Sequence, residues 1–127
     1  MREIKFRAFI KELNEIREVE YINFLKKMIS FPNKFCKEYY LNADFDEIEL
    51  MQYTGLKDMR EKEIYEGDIV KLRANHGIGV IKYYDEWGAF VVEYIKSKPL
   101  TVLGMSYYKE DIEVIGNIYE NPELLGG

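Results

Sequence analysis

Short runs in which apolar and polar residues alternate, each broken by turn residues, limit the folds open to this chain more than any other feature. Ile4, Phe6, Ala8 and Ile10 alternate with charged neighbours, which predicts a strand with one buried face. Val80–Tyr84 is the clearest strand of the second half. Turn residues recur about every 8–12 positions, a spacing typical of a β-barrel or a β-sandwich.

The second half of the chain has the plan of a small barrel. From Ile64 to Ile118 it contains a strand entered through Gly67-Asp68, then a turn, a hairpin, an irregular crossing and a short final strand. Gly116 in that last strand predicts a bulge or a close approach of backbone. We interpret Asp68 as a turn residue that fixes the entry of its strand. This order of elements is similar to an SH3-like barrel.

The first half is expected to be β as well, apart from one short helix. Ile10, Leu13 and Ile16 repeat every third position, a spacing compatible with a helix, but the β-branched and aromatic content of residues 16–24 favours a strand. Residues 32–41 begin with a proline, which suits the first turn of a helix. Phe31, Phe35 and Tyr39 then repeat every fourth position, which predicts a short amphipathic helix.

These patterns together predict a mainly β fold with an SH3-like small barrel in the C-terminal half. The predicted organisation is an N-terminal strand and helix region, 1–50, that packs on the barrel. The barrel itself occupies 51–122, and a flexible tail occupies 123–127.

Scarce residue types argue against several kinds of enzyme. Cys36 and His76 are the single cysteine and histidine, and together they are too few for a structural zinc site. We interpret Cys36 as a buried structural thiol and His76 as an exposed turn residue, not as a catalytic pair. The phosphate-binding, dinucleotide-binding and nucleophile-elbow motifs are absent. We therefore expect no enzyme activity, no catalytic residue, no metal and no cofactor, although the many carboxylates leave catalysis unsupported rather than disproved.

Charge and hydropathy bear on partners and location. The net charge is -5, and an acidic chain is a poor default binder of nucleic acid, because phosphate contacts supply most of that affinity. No apolar run approaches the length of a membrane span, and the charged N-terminus does not resemble a signal peptide. The expected location is the cytoplasm, without membrane contact.

Three blocks of sequence resemble the YopX family. They are the opening Met1–Ala8, the central Leu50–Asp58 followed by Lys62–Val70, and the closing Val114–Pro122. The resemblance implies a protein encoded by a phage or a prophage of a Gram-positive bacterium. It also implies an SH3-like barrel in the C-terminal half and self-association, but no particular activity.

The chain departs from the family pattern in two places. Met59-Arg60-Glu61 stands where members usually carry an Asn-Gly turn, so a longer or partly helical hairpin tip is expected. Phe9-Ile10 stands where members tend to have Trp-Asp, which alters a surface or interface contact at that end.

Aromatic residues supply the candidate interaction surface. The chain has eleven Tyr, seven Phe and one Trp, more than a small core needs. The candidate surface residues, chosen because aromatic side chains are favoured in interfaces, are Tyr53, Tyr65, Tyr84, Trp87 and Tyr108.

Tyrosine doublets point to a homo-oligomer. There are three such doublets, Tyr39-Tyr40, Tyr83-Tyr84 and Tyr107-Tyr108. In a strand, the two members of Tyr83-Tyr84 or Tyr107-Tyr108 face opposite sides, so both cannot enter one core. The alternative is that the first fifty residues cover these rings within one chain. The predicted function is therefore a non-enzymatic oligomer that acts through contacts with itself and with an unidentified phage or host protein. A nucleic-acid-associated module of phage replication or regulation is the alternative.

Overall fold

The structure is a computed structural model that describes residues 2–73, 77–95, 100–105 and 109–126. Tyr107, Tyr108 and His76 lie outside the described residues. The chain divides into two compact units, one of Ile4–Gln52 and the other built chiefly of the described residues from Tyr53 onward. The described residues are mainly β, as the alternating sequence predicts, and their helical elements are three-residue 3-10 turns. None of these has the length and apolar character of a membrane-crossing helix.

The N-terminal unit consists of antiparallel hairpins. Its strands, in chain order, are β1 (Phe6–Ile10), β2 (Glu15–Val19), β3 (Tyr21–Asn23), β4 (Met28–Pro32), β5 (Tyr40–Asp44) and the first half of β6 (Ile48–Lys57). β1 pairs with β2 on one side and with β6 on the other, while β4 lies between β3 and β5.

Alternation along these strands builds the core of the N-terminal unit. Ala8 and Ile10 of β1 are buried, as the sequence pattern predicts, whereas Ile4 lies before the strand and is exposed. Ile29 and Phe31 of β4 point into the same core, because side chains two positions apart in a strand share a face.

The predicted helix at 32–41 is wrong. The segment forms the end of β4, a loop and the start of β5, with Pro32 opposite Tyr40 in the register. The side chain of Asn33 accepts hydrogen bonds from the backbone N–H groups of Phe35 at 2.8 Å and Cys36 at 3.3 Å, and so shapes the loop. Strand pairing and this Asn-centred turn satisfy the backbone better than two isolated helical turns could.

The C-terminal unit contains the second half of β6 and six further strands among its described residues. These are β7 (Glu63–Tyr65), β8 (Asp68–Leu72), β9 (Gly77–Tyr84), β10 (Ala89–Tyr94), β11 (Thr101–Val102) and β12 (Ile112–Asn117). β8 to β12 form an antiparallel sheet in the order β11-β10-β9-β8-β12, which curls into a half-barrel. The prediction of a small barrel-like fold in this part is thus confirmed.

The core of the C-terminal unit lies on one face of the curled sheet. Val70, Ile81, Val92 and Ile112 come from four neighbouring strands of that sheet, and Ile64 of β7 packs with them. Each is almost completely buried. Five strands of alternating sequence therefore share one apolar interior, which holds the unit together through burial of apolar surface.

Turns of the C-terminal unit follow the sequence closely. Gly67 has a φ of 83°, a conformation that glycine adopts without strain, and Asp68 accepts a hydrogen bond from the backbone N–H of Tyr65 at 2.8 Å. The interpretation of Asp68 as a turn residue is confirmed. β12 shifts register between Val114 and Gly116, so the predicted bulge is present as well.

The segment 58–62 forms a compact turn without a helix. Asp58 is buried, and Oδ1 accepts the backbone N–H groups of Arg60 at 2.8 Å and Lys62 at 2.9 Å. Oδ2 accepts the N–H of Val114 at 2.9 Å, which ties the turn to β12. The partly helical tip considered from the sequence is therefore not formed, because the Asp58 carboxylate organises the turn.

Candidate interaction surface

The tip of the β9–β10 hairpin carries the most prominent aromatic cluster of the C-terminal unit. The ring of Tyr84 meets that of Trp87 edge to face, with centroids 4.9 Å apart and an interplanar angle of 71°. The turn that places them is closed by a hydrogen bond from the N–H of Trp87 to the carbonyl of Tyr84 at 3.2 Å. Trp87 nevertheless remains 51% exposed, so the turn presents an indole to solvent.

A second aromatic pair occupies the other face of the same hairpin. Tyr83 lies opposite Phe90 in the register, and their ring centroids are 5.2 Å apart. Both share the face of Ile81, which belongs to the core, but Tyr83 lies near the end of the strand and is exposed. The predicted separation of Tyr83 and Tyr84 onto opposite faces is confirmed, and aromatic side chains flank the tip on both sides.

The four candidate residues that the structure describes are not all brought together on one surface. Tyr53 and Tyr65 are cross-strand neighbours with ring centroids 5.4 Å apart, and they are only 5% and 6% exposed. These two belong to the packing of the chain. Tyr84 and Trp87 are adjacent at the hairpin tip, as described above, and their role in binding stays a prediction. Tyr108 lies outside the described residues.

Loops of the N-terminal unit expose apolar side chains that the sequence did not single out as a surface. Phe24 and Leu25 lie in the β3–β4 turn, and Leu25 is 92% exposed. Phe35 in the β4–β5 loop is 94% exposed, and Tyr39 near the end of that loop is also largely exposed. Their position between strands could have indicated this exposure, because a large side chain on a turn has no core to enter.

The outer face of the β3–β4–β5 sheet adds an aromatic pair. The rings of Tyr21 and Tyr40 meet edge to face at 5.5 Å. A hydrogen bond to the Glu20 side chain raises the pKa of the Tyr40 hydroxyl, because the bond and the nearby negative charge favour the neutral phenol. Tyr40 thus stays a neutral hydrogen-bond donor at physiological pH.

One cavity of the C-terminal unit is lined mainly by charged side chains. Its volume is about 510 Å³, and its walls include Met59, Arg73 and Asp111. The Arg73 guanidinium pairs with the Asp111 carboxylate at 3.3 Å, and Arg60 nearby pairs with Glu113 at 3.1 Å. These charges satisfy one another and therefore do not form a recognisable acid–base or nucleophile arrangement.

One trio of carboxylates, within the part of the chain that the structure describes, could approach a cation together. Asp44, Asp46 and Glu47 have oxygen atoms within 4.8 Å of one another, but all three are exposed. The Glu47 carboxylate already accepts the backbone N–H of Asp44 at 2.9 Å as part of a capping box. This role in ending β5 accounts for the cluster.

Cys36 is not the buried thiol that the sequence suggested. It lies half-buried in the β4–β5 loop. The Asn33-centred turn, which stands in place of the predicted helix, positions it there.

The fold and its exposed aromatic side chains define a class: a small, mainly β protein with a curled barrel-like sheet and aromatic groups on its turns. The chain belongs to the YopX family, because the family model described as YopX protein matches residues 5–126. No curated protein matches the sequence.

Two solved structures are similar over nearly the whole chain. Protein EF1440 from Enterococcus faecalis is 27% identical, with a TM-score of 0.68, and the match covers 98% of this chain and 99% of that one. Protein yopX from Bacillus subtilis is 21% identical, with a TM-score of 0.62, and the match covers 94% and 96% of the two chains. The second likeness is one of fold.

Proposed function

We propose that this protein is non-enzymatic and acts through protein–protein contacts, first of all by forming a homo-oligomer. In this proposal it is encoded by a phage or a prophage and works in the cytoplasm of the bacterial host, where it also contacts a phage or host protein. Membership of the YopX family is the basis for the proposed origin.

The observation that carries the proposal is the set of large apolar side chains on exposed turns. Leu25 and Phe35 are each more than nine-tenths exposed, and Trp87 is about half exposed. Exposed groups of aromatic and aliphatic side chains are costly in water unless a partner covers them, and they commonly mark interaction surfaces. Aromatic side chains are also enriched in the centres of interfaces.

The cavities support a non-enzymatic role. Two charged residues of the 510 Å³ cavity, Arg73 and Asp111, pair with each other. The buried carboxylate of Asp58 is also engaged, since it accepts three backbone N–H groups. A general acid or base must be able to reach a proton of the substrate, whereas Asp111 and Asp58 are engaged by structural partners.

Light scattering coupled to size exclusion tests the proposed oligomer. At micromolar concentration we expect a mass that is a multiple of the 15.1 kDa chain. Closed symmetry is the usual arrangement of such assemblies. A species of 15.1 kDa at every concentration would contradict the proposal and favour a chain that covers its own aromatic surface.

Nucleic-acid binding is the second candidate, and the loops of the N-terminal unit favour it. Lys26 and Lys27 follow Phe24 and Leu25, and the loop around Phe35 also carries lysines. Lysine beside an exposed aromatic ring can contact phosphate while the ring stacks on a base. The net charge of -5 opposes such binding. A retarded band with labelled DNA or RNA at physiological salt would support this candidate.

A further inference from the structure

The β9–β10 hairpin tip combines an aromatic pair, in which Trp87 is about half exposed, with uncompensated negative charge. Asp85 and Glu86 lie between Tyr84 and Trp87 and are both exposed. The Tyr84 hydroxyl donates a hydrogen bond to Glu86 Oε2 at 3.2 Å, which holds that carboxylate beside the ring pair. The tip therefore presents a half-exposed indole and a carboxylate on neighbouring residues.

Nothing basic in the described chain neutralises this tip. Lys82 is the nearest cation in sequence, and its ammonium group already pairs with Glu93 at 3.0 Å, farther along the hairpin. Among the described residues, no lysine or arginine pairs with Asp85 or Glu86. The two carboxylates are thus available to an incoming positive charge.

An aromatic face beside carboxylates has a definite chemical preference. A cation over an indole ring is attracted by the electrons of the ring, and tryptophan is the most effective of the aromatic side chains. Arginine suits such a site better than lysine, because its planar guanidinium stacks on a ring and can bond a carboxylate in two places. A guanidinium over Trp87 could reach a carboxylate of the same turn.

We propose that the β9–β10 tip binds an arginine-bearing segment of another protein, with the guanidinium on Trp87 and its charge met by Asp85 and Glu86. This rests on the proposed function, since it names the chemistry of one contact partner. It does not depend on self-association, because the tip is complementary to a basic segment and the chain as a whole is acidic.

Trp87 is the single tryptophan of the chain, so its fluorescence reports on this tip alone. The experiment titrates the full-length protein with a short capped peptide that carries two arginines separated by glycine. Matched peptides replace arginine with lysine or with uncharged citrulline. We expect saturable change of the Trp87 emission with the arginine peptide, a weaker response with lysine and none with citrulline.

Paired variants separate a specific contact from general attraction. Asp85→Asn with Glu86→Gln removes two charges from the tip. We expect this double variant to bind the arginine peptide about fivefold more weakly, which is the combined effect of two surface charge contacts. Glu12→Gln with Glu123→Gln removes the same two charges at exposed positions elsewhere and should leave binding unchanged. Both variants alter exposed side chains, and circular dichroism would verify their folds.

Three results would overturn the proposal. One is an emission that no peptide changes, and another is equal weakening in both paired variants, which would show unspecific attraction. The third is Trp87 emission that depends on protein concentration without peptide and is unaffected by peptide, which would assign the tip to contacts between copies. That third result would leave the proposed oligomer intact, whereas monomeric protein that binds the arginine peptide would remove the oligomer and keep this site.

Discussion

Replacing Asp58 by alanine tests how the C-terminal unit is held together. The Asp58 side chain is 1% exposed and joins two parts of the chain that are far apart in sequence. It accepts the N–H groups of Arg60 and Lys62 within its own turn, and that of Val114 in β12. Asp58→Ala leaves all three donors without their acceptor.

The expected cost follows from the surroundings of the three donors. The Val114 bond is buried, and loss of a buried bond to a charged acceptor costs about 1.5–3 kcal/mol. Arg60 and Lys62 lie on an exposed turn where water can replace the carboxylate, so each of these two bonds contributes about 0.5–1.5 kcal/mol. We therefore expect Asp58→Ala to lower the free energy of unfolding by about 4 kcal/mol.

Urea unfolding, followed by circular dichroism and by Trp87 fluorescence, measures this loss. Asp85→Ala is the matched control, because Asp85 is an exposed aspartate in the same unit. Its effect should stay within about 0.5 kcal/mol. An Asp58→Ala variant as stable as Asp85→Ala would refute the view that the carboxylate holds the turn to β12.

The pH dependence of the stability of another variant, Asp58→Asn, provides a second check. Burial alone would raise the pKa of Asp58, but the hydrogen bonds from Val114, Lys62 and Arg60, together with the charge of Lys62, outweigh it and lower the pKa. A lowered pKa in the folded state means that the stabilisation is complete above the ordinary value of about 3.9 and is lost as the pH falls through the folded value. The difference between wild type and Asp58→Asn should therefore be constant near neutrality and shrink in strong acid. A difference that grows on acidification would contradict this assignment.

Three further substitutions have expected outcomes. Gly79→Ala would bring a Cβ within 2.5 Å of a Val92 methyl group, so we expect a loss of about 1–3 kcal/mol in thermal unfolding, and an unchanged midpoint would contradict the close approach. Ile81→Ala empties a fully buried position and should cost about 2–5 kcal/mol in urea unfolding; a cost below that range would place Ile81 outside the core. Cys36→Ser, in a half-buried loop, should change thermal stability by no more than about 0.5 kcal/mol, with or without reductant, and a larger loss would assign the thiol a packing role.

The strands of the barrel-like sheet could be predicted because their alternation reflects burial on one face. Val80–Tyr84 lies within β9, and the Gly116 bulge is present, since both depend on local backbone geometry that the sequence encodes directly. The segment around Pro32 was predicted as a helix, because its apolar residues repeat every fourth position. In the structure this segment pairs β4 with β5 instead of forming a helix, and the local sequence pattern does not show which strand a segment will pair with.

Exposure of the aromatic residues was harder to predict than their position in strands. Alternation correctly places Tyr83 and Tyr84 on opposite faces. Tyr83 is on the core-facing side but is exposed, because the core ends before it, and alternation does not show this. Tyr53 and Tyr65 have the same composition signal as Trp87, yet cross-strand packing buries them. Burial depends on which elements meet in three dimensions, so composition alone cannot distinguish a packed ring from a presented one.

Sedimentation equilibrium in the micromolar range tests the central claim, that exposed apolar side chains mediate self-association, most directly. Wild type is compared with Leu25→Ser/Phe35→Ser, which removes the two most exposed large apolar side chains among the described residues, and with Leu13→Ser, a control at another exposed turn position. We expect wild type and the control to sediment with a mass that is a multiple of 15.1 kDa. The double variant should remain dissociated up to a higher protein concentration than wild type, while its circular dichroism spectrum stays the same. Wild type that sediments as a single chain at every concentration, or a double variant that associates as strongly as wild type, would contradict the account.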